Sequence, residues 1–388
     1  MPSPTGVDPA GSATTRPELR WTTLLWLAVA LFSTGIDGYV LAGLLPAIAE
    51  ELTVTEAVAG QLVSVFALTS AVMGPVLGAL TGGWERRRTI AAALTVFIVG
   101  NLGTAVAWDY GIALTSRVVA ALGGCLLSAS INAYVIHVAP VHQRGRALSF
   151  VLGGWMTATA LGVPVGLLLG QTSWRFPLVM VAVVGTIALI GIWWRLPRLT
   201  LPASTLADRL RPLRRPRLVV GLSVTTGILC ASYTCFTYAV LILGPSFPAG
   251  WMIVVIMFGY GLASMLGNAV TGRLADRFSP VRVLTVILLA LVVNAVVGSL
   301  TLTLATGAGM AALGLVWFWL AGVGNGGAAV PQQARLAAMA PGSAPVVMAL
   351  NGSAISLGTA LGGGLGGLVL TGGASPVGLL PVAAVVLV

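Results

Sequence analysis

RLPRLTLPASTLADRLRPLRRPR, residues 195–217, is the one long polar run inside a chain that is otherwise a succession of apolar segments. An α-helix needs about 20 apolar residues to cross a bilayer core of ~30 Å. Windows of that kind fall at 22–47, 57–81, 89–108, 112–136, 147–170 and 174–194 before the run. After it they fall at 218–243, 250–275, 281–304, 307–332, 343–371 and 374–388. The run therefore reads as a linker (196–217) between two six-helix bundles (22–195 and 218–388). The expected fold class is an all-α polytopic membrane protein with twelve transmembrane helices. The last window is short: residues 375–388 cover only ~21 Å as a helix, so helix 12 is either stunted or cut off by truncation.

Composition agrees with a membrane chain. Hydrophobic residues make up 57% of the 388 and charged ones 8%, against roughly 25% charged in a soluble domain. All 20 basic residues are arginine, and every one except Arg117 and Arg175 falls in the tail, the linker or alternate connectors. The opposite connectors carry acid (Glu50, Glu51, Glu56, Asp109) or no charge at all, as around Pro245, Thr303 and Gly372. By the positive-inside bias the N-terminus and the arginine-bearing loops are cytoplasmic, and the net charge of +10 marks topology, with no nucleic-acid face. Residues 1–21 are rich in Pro, Ser, Thr and Gly, lack a cleavage site and read as a disordered cytoplasmic tail. Cys125, Cys230 and Cys235 are odd in number, lie in apolar helices and read as packing residues.

An internal repeat supports the division into halves. Gly78, Leu80 and Arg88 after helix 2 recur at constant offset as Gly272, Leu274 and Arg282 after helix 8. Parallel six-helix repeats place a substrate site between them and alternate its access. The second copy, GRLADRFSPVR at 272–282, resembles the cytoplasmic G-x-L-x-D-R signature of the major facilitator superfamily through Gly272, Leu274, Asp276 and Arg277. The first copy, GALTGGWERRR, keeps Gly78 and the run Arg86, Arg87, Arg88, with Gly82 where that superfamily usually has Asp. GIDGYVLAGLLPAIAEEL in helix 1 is similar to the 12-helix drug:proton antiporter branch, in particular the bacterial group of sugar, nucleoside and chloramphenicol exporters. ALGVPVGLLLGQTSWR in helix 5 resembles that branch's antiporter motif through Gly162, Pro164, Gly166 and Gly170. The resemblance implies a small-molecule exporter, and it places helix 5 where the halves meet and the paired cytoplasmic loops in a gate lock that favours the outward-open state.

Asp37 is the only carboxylate deep in a predicted span. Burying a charge there costs ~2.5–3.5 kcal/mol on insertion scales, so its retention points to use. Asp37 is the expected proton-coupling group; the plainer reading is a hydrogen bond to a neighbouring helix or a place in an outer vestibule. Arg117 in helix 4 matches the lone arginine of the superfamily's helix 4 motif, which implies a position near Asp37 or substrate; snorkelling to the headgroups is the alternative. Ser128 and Asn132 follow Arg117 down one face. Tyr233, Phe236 and Thr237 in helix 7, with Trp317 and Asn325 in helix 10, make a candidate apolar pocket for a flat organic molecule, although aromatics in membrane bundles also serve packing. Four-residue spacing in Gly162, Gly166, Gly170 and in Gly358, Gly362, Gly366 permits close helix contact, and Pro164 should bend helix 5.

His137 and His142 are five residues apart without Cys or acid companions, so no metal site is expected. No phosphate loop with Lys and no nucleophile–base–acid set appears, so no cofactor and no enzyme activity are expected. The combined expectation is a monomeric, multi-pass protein of the bacterial inner membrane, whose partners are lipid, protons and a small amphipathic substrate exported by antiport. Alternatives are a sugar or nucleoside exporter, an uncoupled facilitator, and a non-transporting sensor or assembly partner.

Overall fold

The computed structural model describes residues 21–140, 143–200, 205–244, 247, 250–304, 307–340 and 343–388, with Gly250, Asp276, Gly307 and Ala308 described by their backbone alone. The N-terminal tail, His142 and Pro245 lie outside the described residues. Eleven described helices are long and apolar enough to span a bilayer. They are α1 (Trp21–Gly43), α2 (Glu56–Leu80), α3 (Arg86–Ala105), α4 (Tyr110–Val138), α5 (Arg144–Gly170) and α6 (Arg175–Arg195). In the second half they are α7 (Pro216–Phe236), α8 (Gly250–Arg277), α9 (Pro280–Leu304), α10 (Gly307–Met339) and α11 (Ala344–Thr371). A shorter apolar helix, α12 (Pro376–Leu387), occupies the place of the twelfth.

Two expected spans are broken near their arginine-poor ends. The first ends in a 3₁₀ turn, Leu41–Gly43, before a short helix Leu45–Glu51. Pro46 explains the break, since it lacks an amide donor and its ring would clash with the carbonyl four residues back in a continuous helix. The seventh stops at Phe236 and resumes as Ala239–Leu243. Tyr238 occupies that second break and is fully buried. The other notable irregularity is in α5, where a π-turn, Ala158–Gly162, precedes Pro164. A π-turn next to a mid-helix proline accommodates the hydrogen bond and space that the proline removes.

Within lipid, helices gain little from hydrophobicity when they meet one another, so small residues decide close contact. The two glycine ridges do this symmetrically. In α5, Gly162, Gly166 and Gly170 press on Ile36, Val40 and Leu44 of the α1 segment. In α11, Gly358, Gly362 and Gly366 press on Thr226, Cys230 and Tyr238 of the α7 segment. Both ridges thus seal contacts inside a half. The halves themselves meet along α2 with α11 and α5 with α8. At the second seam, a Cβ on Gly261 would stand 2.9 Å from the Thr159 carbonyl.

The apolar core shows which end is shut. One continuous cluster joins the first half to Tyr233, Phe236, Tyr238–Leu243, Tyr260 and Phe318 of the second, all at or above mid-depth toward the arginine-poor end. At the arginine-rich end the second half keeps a separate core of Leu218, Leu222, Leu336, Val347 and Leu350. At the arginine-poor end Gly363 and Gly367 of α11 lie against Ser64, Gln61 and Ala57 of α2. The structure is closed at the arginine-poor end and parted at the other.

Candidate functional site

Asp37 and Arg117 meet in the first half. α4 is started by Asp109, whose carboxylate accepts from the Ile112 amide at 3.0 Å. It is held tightly to α3 by Gly100 and Gly123, where any side chain would collide with the Ala120 and Phe97 backbones. This sets Arg117 opposite Asp37. Nη1 donates to Oδ1 at 2.6 Å and Nη2 to Oδ2 at 3.2 Å. The two side chains are 1% and 0% exposed. The fork is the strong bidentate form, and the guanidinium also lies 4.4 Å from the Phe66 ring centre. Snorkelling is thereby overturned: the arginine turns inward. Its Nε is buried without a partner. The pair therefore combines a buried carboxylate, a fixed counter-ion and one spare donor.

The aromatic residues form a layer near this pair. Phe236 is the hub, with ring centres at 5.6 Å to Tyr39, 5.4 Å to Tyr233, 5.0 Å to Tyr260 and 6.2 Å to Phe318. Asn325 joins it, donating from Nδ2 to the Tyr260 hydroxyl at 2.8 Å. Thr237 does not join, and Trp317 meets the layer only at its edge, 5.8 Å from Phe318. Thr237 is fully buried and its unpartnered hydroxyl faces the α2–α11 seam beside Ser64 and Gly363. Trp317 packs on Gly298 of α9, and its neighbour Phe318 takes the inward place expected of it. Ser128 and Asn132 are half-buried along α4.

At the arginine-rich end each member of the first basic run has its own partner. Arg86 is buried; its side chain donates to the Gly82 carbonyl and its amide to Leu199 at 2.7 Å. Arg87 lies over Trp193 at 4.7 Å, and Arg88 pairs with Glu85 at 3.2 Å. Gly78 leaves room for Arg209 of the linker helix Leu206–Leu210, whose guanidinium would stand 2.7 Å from a Cβ there. The loop is thus tied to the linker. In the second copy Gly272 faces open space and Arg277 is exposed.

The opposite end carries a clamp. Glu51 accepts from Trp174 Nε1 at 2.6 Å and from Arg175 Nε and Nη2 at 3.1 and 2.8 Å. Arg175 Nη1 also donates to the Ala105 carbonyl at 2.6 Å. Hydrogen bonding from Arg175, opposed by partial desolvation and aided by Trp174, holds the Glu51 carboxyl below its usual range. Among the described residues no group of three His, Cys, Asp or Glu side chains could hold a metal ion.

Sequence reading missed Tyr39, Phe66, Tyr238, Tyr260 and Phe318. Tyr39 had a signal, standing two residues from Asp37; the others have none in local pattern, because any aromatic in a span reads as packing.

The family model described as Major Facilitator Superfamily matches residues 27–293, more than half of the chain. An uncharacterized MFS-type transporter of Bacillus subtilis, YbcL, is 27% identical over 88% of this chain and 87% of its own length. A chloramphenicol resistance protein of Streptomyces lividans is 33% identical over 68% of this chain and 69% of its own. The inner membrane transport protein YdhP of Escherichia coli is 28% identical over 90% and 89%. Among solved structures, a D-xylose-proton symporter superposes with a TM-score of 0.70 at 16% identity over 90% of this chain and 88% of its own. The xylose transporter XylE of E. coli, in a partially occluded inward open conformation, gives 0.68 at 13% over 94% and 97%.

Proposed function

Because the chain belongs to the major facilitator superfamily and is a multi-pass secondary transporter, we propose that it exports a small amphipathic organic compound by proton antiport, with Asp37 as the proton-coupling group. The observation that carries this reading is the fully buried, bidentate Asp37–Arg117 pair. Breaking such a pair by removing one charge leaves the other uncompensated, a cost of about 3–5 kcal/mol. Protonation of Asp37 is one such event, so the proton state and the α1–α4 contact are coupled. The likeness to a chloramphenicol resistance protein supports an organic substrate, and the aromatic layer around Phe236 offers an apolar surface for one.

With the arginine-rich end taken as cytoplasmic, this conformation faces inward. Substrate then enters from the cytoplasm below the aromatic layer as Asp37 gives up its proton and pairs with Arg117. The halves rock about the α2–α11 and α5–α8 seams, the outer contacts at Tyr238 part, and a proton from outside resets the cycle. Coupling requires that substrate and proton favour different states. The exposed Arg277 and open Gly272 fit a cytoplasmic gate lock that engages only when the halves close at that end. Proton release by purified protein on adding chloramphenicol-like ligands, in wild type and Asp37→Asn, tests the reading. The expected result is release in wild type and none in the variant. Release that is unchanged in Asp37→Asn would place coupling elsewhere.

A further inference from the structure

The charge balance of the central site limits what it can hold. Asp37 has both oxygens engaged by Arg117, and Phe66 covers the guanidinium face. The carboxylate is fully engaged, and of the guanidinium only the buried Nε is left without a partner. The other described charged residues lie at helix ends, within about two turns of them, or in connectors. What remains beside the pair is uncharged. Tyr39 and Tyr260 stand against Phe236 at 5.6 and 5.0 Å, and the Tyr260 hydroxyl accepts from Asn325 Nδ2 at 2.8 Å. These phenols and amides converge from both halves around Phe236. The layer has an open edge at Gly38. A Cβ on Gly38, between Asp37 and Tyr39, would meet only Trp155 at 3.9 Å, and Gly38, Tyr39, Trp155 and Asn325 are all partly exposed.

We infer that the transported compound is a net-neutral, planar aromatic molecule bearing hydroxyl or carbonyl groups, seated beside Gly38 and read by the Tyr39, Tyr260 and Asn325 polar groups. This rests on the transport reading above and narrows its substrate class. A cation or anion in this place would have to break the Asp37–Arg117 fork or lie unpaired in a low-dielectric layer, and both are unfavourable. A neutral ring keeps the fork intact, gains area against the aromatic layer and exchanges hydrogen bonds with the phenols.

Three naphthalenes of matched shape test the inference: the carboxamide, the carboxylate and the methylammonium. Calorimetric titration of detergent-purified full-length protein at neutral pH should give the amide an affinity on the order of a hundredfold above either ion. Tyr260→Phe, checked for an unchanged melting profile, should weaken the amide about three- to tenfold. Binding of either ion as tight as the amide, or no binding of the amide, overturns the inference. Binding needs no proton gradient, so selective amide binding without proton release would refute the antiport reading and leave this one standing.

Discussion

Gly60→Ala should push the transporter out of the state described here. Gly60 begins the membrane part of α2 in the first half, and Tyr238 reaches it from the second. A Cβ at Gly60 would stand 2.7 Å from two ring carbons of Tyr238 and closer still to its hydroxyl. Carbon atoms rest at ~3.5–4.0 Å, so the halves would have to separate by about 1 Å or the ring would have to move. The ring has little freedom: it is fully buried, its hydroxyl donates to Gly363 at 2.9 Å, and Gly366 and Gly367 hold its other side. Overpacking of this kind costs about 1–3 kcal/mol. The clash exists only while the arginine-poor ends are together, so the closed-to-open ratio at that end should fall roughly 5- to 150-fold. Spin labels at Val58→Cys and Ser375→Cys, both exposed positions, in a background lacking Cys125, Cys230 and Cys235, would report it as a longer distance population. An unchanged distance distribution in a folded Gly60→Ala protein would refute the claim that Tyr238 seals this end.

Three further outcomes follow from the same geometry. Arg117→Met should destabilise the protein by about 3–5 kcal/mol by stranding Asp37, and Asp37→Asn with Arg117→Met should recover most of that; melting of the four-member cycle in detergent checks it, and additive losses would contradict the pair. The clamp at Glu51 gives a pH dependence: because its folded pKa is depressed, its stabilisation is present above the unfolded value near 4.5 and is lost as pH falls through the lower folded value. Glu51→Gln should therefore melt below wild type at neutral pH, by no more than ~1 kcal/mol for so exposed a pair, with the difference closing below that value. Finally, exchange of a neutral substrate for protons moves net charge, so a membrane potential alone should drive flux in proteoliposomes; indifference to potential would argue for electroneutral exchange of a cation.

The helices were legible because bilayer thickness imposes a length on apolar runs, and α2 and α6 fall within a residue or so of the windows read for them. Breaks were less visible. Pro46 marks the first in sequence, but nothing around Tyr238 announces the second, because it exists to fit a contact with the other half. Asp37 stood out since one carboxylate among so much apolar surface has few innocent explanations. Arg117 could be linked to it only by knowing how α1 and α4 cross, and that crossing depends on Gly100 and Gly123 contacts separated along the chain. Helix α5 does lie at the seam with α8, where the resemblance puts it, but its glycines turn to Ile36, Val40 and Leu44 of the same half, because only the packing tells which side of a helix faces which partner. Aromatic choice was the least legible part. Trp317 and Phe318 are adjacent, and a rotation of 100° per residue decides which of them points inward.

The measurement that bears most directly on the account is flux driven by a pH gradient in proteoliposomes, compared between wild type and Asp37→Asn with substrate exchange at equal pH as the control. Wild type should accumulate substrate against its gradient when protons flow, and Asp37→Asn should still exchange substrate but no longer respond to the gradient. Gradient-driven accumulation that survives in Asp37→Asn would contradict this.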